Sequence, residues 1–104
     1  MYTVASMNVM YTLQDIIFEW DSQKADENLR KHGVSFELAC EAFFDPFSLW
    51  LDDELVEGEL RETIIGMTVN WRPLYVVYVM RDDSIRIISA RRVTGVESRH
   101  YEDQ

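Results

Sequence analysis

The sequence has a single cysteine, Cys40, among its 104 residues. One thiol excludes a framework of intramolecular disulfides and is typical of a protein in a reducing compartment. No apolar run reaches the roughly 20 residues that a membrane-spanning helix needs. The first residues also lack the basic segment and apolar block of a secretion signal. We therefore expect a cytoplasmic protein with no membrane contact.

Residues suited to metal sites or phosphate loops are also scarce. His32 and His100 are the only histidines, and neither lies at a recognised ligand spacing. The acidic stretch 52–59 lacks the glycine position and ligand order of an EF-hand, and there is no glycine-rich phosphate loop. Cys40 lies on an apolar helical stripe, which favours a place in the core over a role as a nucleophile. We expect no cofactor and no metal site.

The charge is strongly acidic but unevenly distributed. The formal net charge is −9, which argues against non-specific nucleic-acid binding because that normally requires a basic face. Residues 41–62 carry eight acids and one base, whereas residues 72–92 carry five arginines and two aspartates. This asymmetry indicates one basic site on an acidic body. The alternative is that the acidic surface only keeps the protein in solution.

Capping patterns predict three helices. Asp21 or Ser22 can accept from the first free amides of a helix that runs to residue 31 or 32, and Gly33 suits its left-handed end. A second helix begins after Ser35, where apolar residues recur with helical spacing. Thr94, followed three residues later by glutamate, fits a capping box and predicts a short terminal helix to residue 101.

Runs rich in Val, Ile and Tyr predict the strands. Their ranges are 15–20, 47–51, 61–69, 74–80 and 85–90. The short links between the later strands favour a meander. The predicted fold is therefore α+β: an antiparallel β-meander sheet with two N-terminal helices on one face and a short C-terminal helix. We expect 15–104 to form one domain and 1–14, which show no clear period, to be a leader or a flexible tail.

The stretch IRIISARR, residues 85–92, carries three arginines in one predicted strand. Arginine stays charged, and its planar fork binds phosphate through two hydrogen bonds, so it can stabilise a phosphorane-like transition state. Because side chains alternate along a regular strand, Arg86 and Arg91 should face opposite sides of the sheet. We expect Arg91 to lie in the site beside Ser89, and Arg86 to be structural and paired with an acid. The alternative is that each arginine forms an ordinary surface salt bridge.

A set of short motifs runs in order through residues 17–102. They are FEWD at 18–21, Lys24, Asn28, KHGVSFELA at 31–39, FFDP at 43–46, Arg61, Ile65-Gly66, RIISARR at 86–92 and Tyr101-Glu102. In this order and at these separations, the motifs resemble those of the BrnT toxin family. KHGVSF and RIISAR together are the most specific part of the resemblance.

The resemblance implies a RelE-like fold and a ribonuclease toxin of a type II toxin–antitoxin pair. The implied partner is a BrnA-like ribbon-helix-helix antitoxin, which neutralises the toxin and makes the contacts to operator DNA. RelE-like enzymes cleave RNA without a metal. The ribose 2′-hydroxyl attacks the adjacent phosphate, and basic side chains stabilise the charge that develops.

Candidate catalytic residues follow from the resemblance and from side-chain chemistry. Arg61, Arg81 and Arg91 are expected to stabilise the phosphate in the transition state. Lys24 is expected to position the RNA or assist proton transfer, and His32 is a candidate general acid. Two of them have simpler alternatives: Lys24 as a solvated lysine, and His32 as a polar group at a helix end.

Two departures from the family pattern motivate another class of function. Residues 94–98 read TGVES where many family members continue with basic residues, and residues 79–83 are more acidic than the resemblance implies. The alternative is a catalytically silent module that keeps the fold and the antitoxin contact but no longer cleaves RNA. A third reading, an acidic mimic of nucleic acid, fits the net charge but leaves the arginine-bearing strand unexplained.

Overall fold

A computed structural model describes residues 5–104, and their α+β fold confirms the predicted class. The strands, in chain order, are β1 (Asn8–Leu13), β2 (Ile16–Asp21), β3 (Leu49–Trp50), β4 (Glu54–Val56), β5 (Glu59–Met67), β6 (Pro73–Met80) and β7 (Ile85–Arg92). The helices are α1 (Ser22–His32), α2 (Phe36–Cys40), which continues as a 3-10 turn (Glu41–Phe44), and α3 (Gly95–Glu102). Within this part of the chain, no helix is long and apolar enough to cross a membrane.

The helix ends follow the predicted caps. The Asp21 carboxylate accepts from the Lys24 amide at 3.0 Å, and Gly33 ends α1 with a φ of 68°. The Ser35 hydroxyl caps α2 in the same way, and both hydrogen bonds of the Thr94 capping box are present. These ends could be predicted because each depends on contacts within one turn of the chain.

The sheet has the strand order β1–β2–β7–β6–β5–β3, and β4 pairs with β5. β5, β6 and β7 pair antiparallel with their chain neighbours, which confirms the predicted meander. β2, in contrast, pairs parallel with β7 through Phe18–Ile85 and Glu19–Arg86. The sheet is therefore mixed: it contains one parallel pair among antiparallel pairs. The hairpin of β1 and β2 joins the meander at its last strand, β7, and not at its first strand, β5.

Residues 1–14 were expected to form a leader or a flexible tail, and residues 8–13 of this stretch form the strand β1. It pairs antiparallel with β2 over six residue pairs, and its alternate residues, beginning with Val9, pack against the core. The link is a two-residue turn, Gln14-Asp15, with φ values of 48° and 68°. Tight hairpins of this kind usually contain glycine or asparagine. Only Asp15 is of a residue type common at positive φ, so the turn gave a weak signal. Residues 1–4 of the predicted tail lie outside the described residues.

The core lies between the sheet and the layer formed by α1, α2 and the 3-10 turn. Its buried members include Phe18, Trp20, Val34, Phe36, Cys40, Ile64, Leu74, Val76, Tyr78 and Ile87. The 3-10 turn presses closely on β5, where a Cβ on Gly66 would lie 2.2 Å from the carbonyl oxygen of Ala42. Glycine at this position allows the two backbones to approach each other.

We expect Gly66→Ala to lower the free energy of unfolding by about 3 kcal/mol, because the added methyl group forces two backbone segments apart. Urea unfolding followed by circular dichroism measures the change. Gly95→Ala is the matched control, since its Cβ would meet only the flexible Arg99 side chain at 3.7 Å. It should change stability by less than about 1 kcal/mol. Equal stability of both variants would contradict the close approach.

Candidate active site

The strand β7 contains one extra residue relative to its neighbour β6. The pairing steps from Tyr78–Ile87 to Val77–Ser89, which leaves Ile88 without a partner. An inserted residue of this kind, a β-bulge, reverses the alternation of the side chains that follow it. The burial pattern has the same break, since the two buried positions of β7 are three residues apart rather than two.

The bulge puts Arg86 and Arg91 on the same face of the sheet, so the expectation of opposite faces is wrong. Their partners on β6 are Val79 and Tyr75, which are four residues apart and therefore share a face. The β6 residues that alternate with these partners belong to the core. The arginines thus lie on the face turned away from α1 and α2, which we call the open face. The expectation failed because it assumed a regular strand.

Arg61 and Arg81 also lie on the open face. Arg81 comes two residues after Val79, immediately beyond the end of β6 at Met80. Arg61 comes two residues before Thr63, and Thr63 pairs with Val77 of β6, whose side chain lies on the open face. The open face therefore carries the three arginines predicted to be catalytic together with Arg86, which was expected to lie elsewhere.

Two of these arginines form ion pairs with carboxylates on their neighbouring strands, Glu19 on β2 and Glu59 on β5. Arg81 Nη1 lies 2.7 Å from Glu59 Oε2, and its Nε lies 4.0 Å from Glu19 Oε1. Arg86 Nη1 lies 2.9 Å from the same Glu19 oxygen and donates to Asn8 at 2.8 Å. Arg86 is thus paired with an acid, as expected. Exposed pairs contribute only about 0.2–1 kcal/mol each, so their main effects are to orient the guanidinium groups and offset their charge.

Arg91 is held by a carboxylate and an aromatic ring. Its two terminal nitrogens donate to the two Glu97 oxygens at 2.8 and 2.9 Å, and its guanidinium lies 3.9 Å from the centre of the Tyr75 ring. Glu97 is also the acid of the Thr94 capping box. The hydrogen bonds from Arg91 lower the pKa of Glu97 and, reciprocally, raise the pKa of Arg91, against the opposing effect of burial.

Arg61 differs from the other three arginines of the open face. In the described part of the chain it forms no ion pair. Its Nε atom is buried and has no hydrogen-bond partner. Buried N–H groups without a partner are rare in folded proteins, and a guanidinium with a free donor favours binding of an anion.

Lys24 and His32 lie on α1, one helical turn before and after Asn28. This helix packs through Ala25 against the core, on the other side of the sheet from the open face. Across residues 5–104, no ion pair or side-chain hydrogen bond joins Lys24 or His32 to an arginine of the open face. The five predicted residues are thus divided between the two layers, with the arginines on the open face and the other two on α1.

The single cysteine lies away from the open face. Cys40 is buried in the core, as expected, where its Sγ donates to the Phe36 carbonyl at 3.2 Å. Burial raises the pKa of the Cys40 thiol. In the region that the structure describes, no three His, Cys, Asp or Glu side chains are arranged to hold a metal ion.

Asn28 positions β7 beside the arginines, a role that sequence reasoning missed. Its Nδ2 donates to the carbonyls of Ala90 at 2.8 Å and Val34 at 2.9 Å, and its Oδ1 accepts from the Ala90 amide at 3.1 Å. Asn28 thus takes the place of a neighbouring strand at the edge of β7, next to Arg91. The sequence does contain a signal for this role, an asparagine on the core side of a helix. Because buried polar groups in proteins are normally hydrogen-bonded, such a residue indicates a buried hydrogen-bond partner.

We expect Asn28→Ala to lower the free energy of unfolding by about 2–4 kcal/mol, because three buried backbone groups lose their hydrogen-bond partner. Hydrogen exchange at the Ala90 amide should become faster. Glu27→Ala is the control, since it changes an exposed residue of the same helix and should leave this amide protected. Unchanged exchange in Asn28→Ala would show that the amide does not depend on Asn28.

Asp45 links the end of α3 to the sheet through hydrogen bonds. Its carboxylate accepts from the amides of Phe47 and Met67, each at 2.8 Å, and from the hydroxyl of Tyr101. Burial alone would raise the pKa of Asp45, but the three hydrogen bonds together lower it below its usual value. Burial and the neighbouring carboxylate raise the pKa of Tyr101 to about 12, so its hydroxyl remains a donor at neutral pH.

Asp45 and Glu97 should make the stability of the fold fall in acid. Because both pKa values are lowered in the folded state, the stabilisation is present at neutral pH and is lost as the pH falls below about 4. We expect Asp45→Asn to lower the free energy of unfolding by about 1–3 kcal/mol at pH 7. The difference from the wild type should shrink as the pH falls.

Urea unfolding of both proteins between pH 7 and pH 3 measures this effect. Asp83→Asn changes an exposed acid and serves as the control with no expected difference. A constant difference between Asp45→Asn and the wild type over this pH range would contradict a role for the Asp45 charge.

The sequence matches a family model over most of its length. Residues 20–97 match the model described as the ribonuclease toxin, BrnT, of the type II toxin–antitoxin system. This confirms the resemblance inferred from the motifs. All four arginines of the open face and Glu97 lie within the matched region, whereas Tyr101 lies beyond it. No curated protein matches the sequence.

Proposed function

Since the chain belongs to the BrnT family of ribonuclease toxins of type II toxin–antitoxin systems, we propose that it cleaves RNA at the open face of its sheet. The observation that carries this proposal is the bulge in β7, which gives Arg91 the same face as Arg61 and Arg81. Three fixed positive charges on one face of a chain with a net charge of −9 favour a site for an anionic group.

The proposed reaction is a metal-independent transfer within the RNA backbone, as the resemblance to RelE-like enzymes implies. The ribose 2′-oxygen forms a bond to the adjacent phosphorus and loses its proton. The bond from phosphorus to the 5′-oxygen breaks, and that oxygen takes up a proton. Negative charge builds up on the phosphoryl oxygens in between, where Arg61, Arg81 and Arg91 stabilise it.

The assignments of Lys24 and His32 belong to the same proposal. Lys24 positions the RNA or assists proton transfer, and His32 acts as a general acid. Both residues lie one helical turn from Asn28, which hydrogen-bonds to Ala90 next to Arg91. This position supports the proposal that their side chains approach the RNA along the edge of β7. The long lysine side chain, rather than the helix itself, would have to reach around the edge of β7 towards Arg91.

A specific observation favours a second candidate, the catalytically silent antitoxin-binding module. Arg81, Arg86 and Arg91 each have a carboxylate partner at 2.7–2.9 Å. A phosphate must therefore compete with a carboxylate for each of these side chains, most strongly at Arg91, where Glu97 accepts two hydrogen bonds. Arg61 alone would then offer an unopposed charge on the open face.

The family implies an antitoxin partner, and the partner we propose is a BrnA-like ribbon-helix-helix protein. The acidic body of this chain suits a basic segment of such a partner, because complementary charge steers association. Contacts with operator DNA would be made through the antitoxin. We propose the cytoplasm as the place of action, where the RNA substrate and the antitoxin would meet.

We expect Arg91→Ala to lower the rate of RNA cleavage about 100-fold or more, because it removes a fixed donor to the developing charge. The variant should also relieve growth arrest on expression. Cleavage of a defined RNA by purified protein and growth of expressing cells are the two measurements. Arg30→Ala is the matched control, since it removes an exposed arginine on α1 and should leave both unchanged. Full toxicity of a folded Arg91→Ala variant would contradict the assignment.

Expression of the wild type without an antitoxin separates the two candidate functions. Growth arrest with fragmented RNA supports the ribonuclease, whereas normal growth with intact RNA supports the silent module. Glu97→Gln sharpens the distinction, because glutamine can keep the capping hydrogen bond while its negative charge is removed. Cleavage that appears only in this variant would identify the Arg91–Glu97 pair as the cause of silence.

A further inference from the structure

The turn between β5 and β6 presents a tryptophan in an unfavourable backbone conformation. Trp71 has a φ of 61°, a region in which glycine or asparagine is common and a bulky residue is a clear exception. The residue is 83% exposed, so burial of the indole ring does not compensate for the strain. Backbone strain of this kind is concentrated at functional sites.

The turn itself is firmly built. Thr68, only 4% exposed, donates its amide to the Arg72 carbonyl at 3.0 Å, and its hydroxyl accepts from the Arg72 amide at 3.2 Å. The Trp71 amide donates to the Thr68 carbonyl at 3.0 Å. These hydrogen bonds hold Trp71 at the tip of the turn, so its ring is presented on a fixed support.

Two arginines flank the exposed indole ring. Arg72 follows Trp71 directly, and Arg92 lies at the end of β7 opposite Leu74. The three side chains line one shallow groove together with Pro73 and Val93. We call Trp71, Arg72 and Arg92 the Trp71 patch.

The charges of the Trp71 patch are not offset as those of Arg81, Arg86 and Arg91 on the open face are. Neither Arg72 nor Arg92 forms an ion pair within residues 5–104, and both are exposed. On its other side Trp71 borders a groove that contains the carboxylates of Glu41 and Asp45. Those carboxylates accept hydrogen bonds from backbone amides of the β5 end rather than from the two arginines.

We propose that the Trp71 patch binds single-stranded RNA, with a base stacked on Trp71 and the neighbouring phosphates bound by Arg72 and Arg92. This inference rests on the proposed function and extends the substrate-binding surface beyond the open face. An exposed aromatic ring between unpaired arginines is the combination that binds single strands, because every base has a face that can stack. The two positive charges favour RNA over a neutral or basic protein segment.

The patch also lies where a strand bound at the open face could continue. Arg91 and Arg92 are consecutive in β7, so their side chains leave the strand on opposite sides. A strand whose phosphate lies at Arg91 can therefore pass over the end of β7 and meet Arg92 and Trp71. The patch would thus set where on a longer RNA the bond at the open face is cleaved.

Fluorescence anisotropy of the full-length protein with a labelled 12-nucleotide 2′-O-methyl RNA tests the proposal. This probe lacks the free 2′-hydroxyl, so binding is measured without cleavage. We expect Trp71→Gly to raise the Kd about tenfold and to leave the melting temperature unchanged or higher, because glycine adopts positive φ without strain. Trp71→Phe, which keeps a stacking ring, should lie close to the wild type.

The arginines and a second tryptophan provide matched comparisons. Arg72→Gln and Arg92→Gln should each weaken binding and lower the slope of log Kd against log salt by about 0.7. Trp50→Ala removes another exposed tryptophan, at 63% exposure on β3, and should bind as the wild type does. Equal affinities of Trp71→Gly and the wild type would overturn the proposal.

Binding of this probe, cleavage of an unmodified RNA and binding of the antitoxin together separate this inference from the proposed function. If the wild type binds the probe through Trp71 but leaves an unmodified RNA intact, the patch stands and the ribonuclease assignment fails. If Trp71→Gly binds and cleaves as the wild type does, the ribonuclease stands and the patch is wrong. If Trp71→Gly weakens only the complex with the antitoxin, the surface serves a protein partner and the RNA proposal is overturned.

Discussion

The extra residue at Ile88 determines which side chains of β7 share a face of the sheet. Before it, β7 pairs with β2 through Ile85 and Arg86; beyond it, Asn28 on α1 takes the place of that strand at Ala90. The bulge therefore coincides with the point where a strand neighbour gives way to a helix. Because the inserted residue reverses the alternation, Arg91 emerges on the open face beside the other arginines instead of pointing to the core side.

Carboxylates orient three of the four arginines of the open face and offset their charge. The ion pairs of Arg81 and Arg86 with Glu59 and Glu19 are partly exposed, so they add little to stability. They restrict the positions of long side chains that would otherwise move freely. The acidic composition is thus compatible with a basic site, and it also provides the groups that oppose the binding of phosphate there. The competition between phosphate and carboxylate is strongest at Arg91, which donates two hydrogen bonds to Glu97. Whether phosphate can displace this carboxylate distinguishes the ribonuclease from the silent module.

The elements of the fold could be predicted to different degrees. Helix ends at Asp21, Gly33 and Thr94 and the meander of β5–β7 were predicted, since their signals lie within a few residues along the chain. β1 was missed because its hairpin turn, Gln14-Asp15, has neither glycine nor asparagine and therefore gives only a weak signal. The parallel pairing of β2 with β7 joins residues 67 positions apart, such as Phe18 and Ile85, and no local pattern indicates such a partner.

For the site, the sequence by itself determined the residue types, the family and the arginines that belong to its motifs, because these are properties of the chain order. The tertiary structure decided which arginines share a face, which acids oppose them and which helix supports β7. These features depend on one inserted residue in the register of two strands and on contacts such as Asn28 with Ala90, 62 residues apart. A period of two along a strand fixes faces only while the strand remains regular.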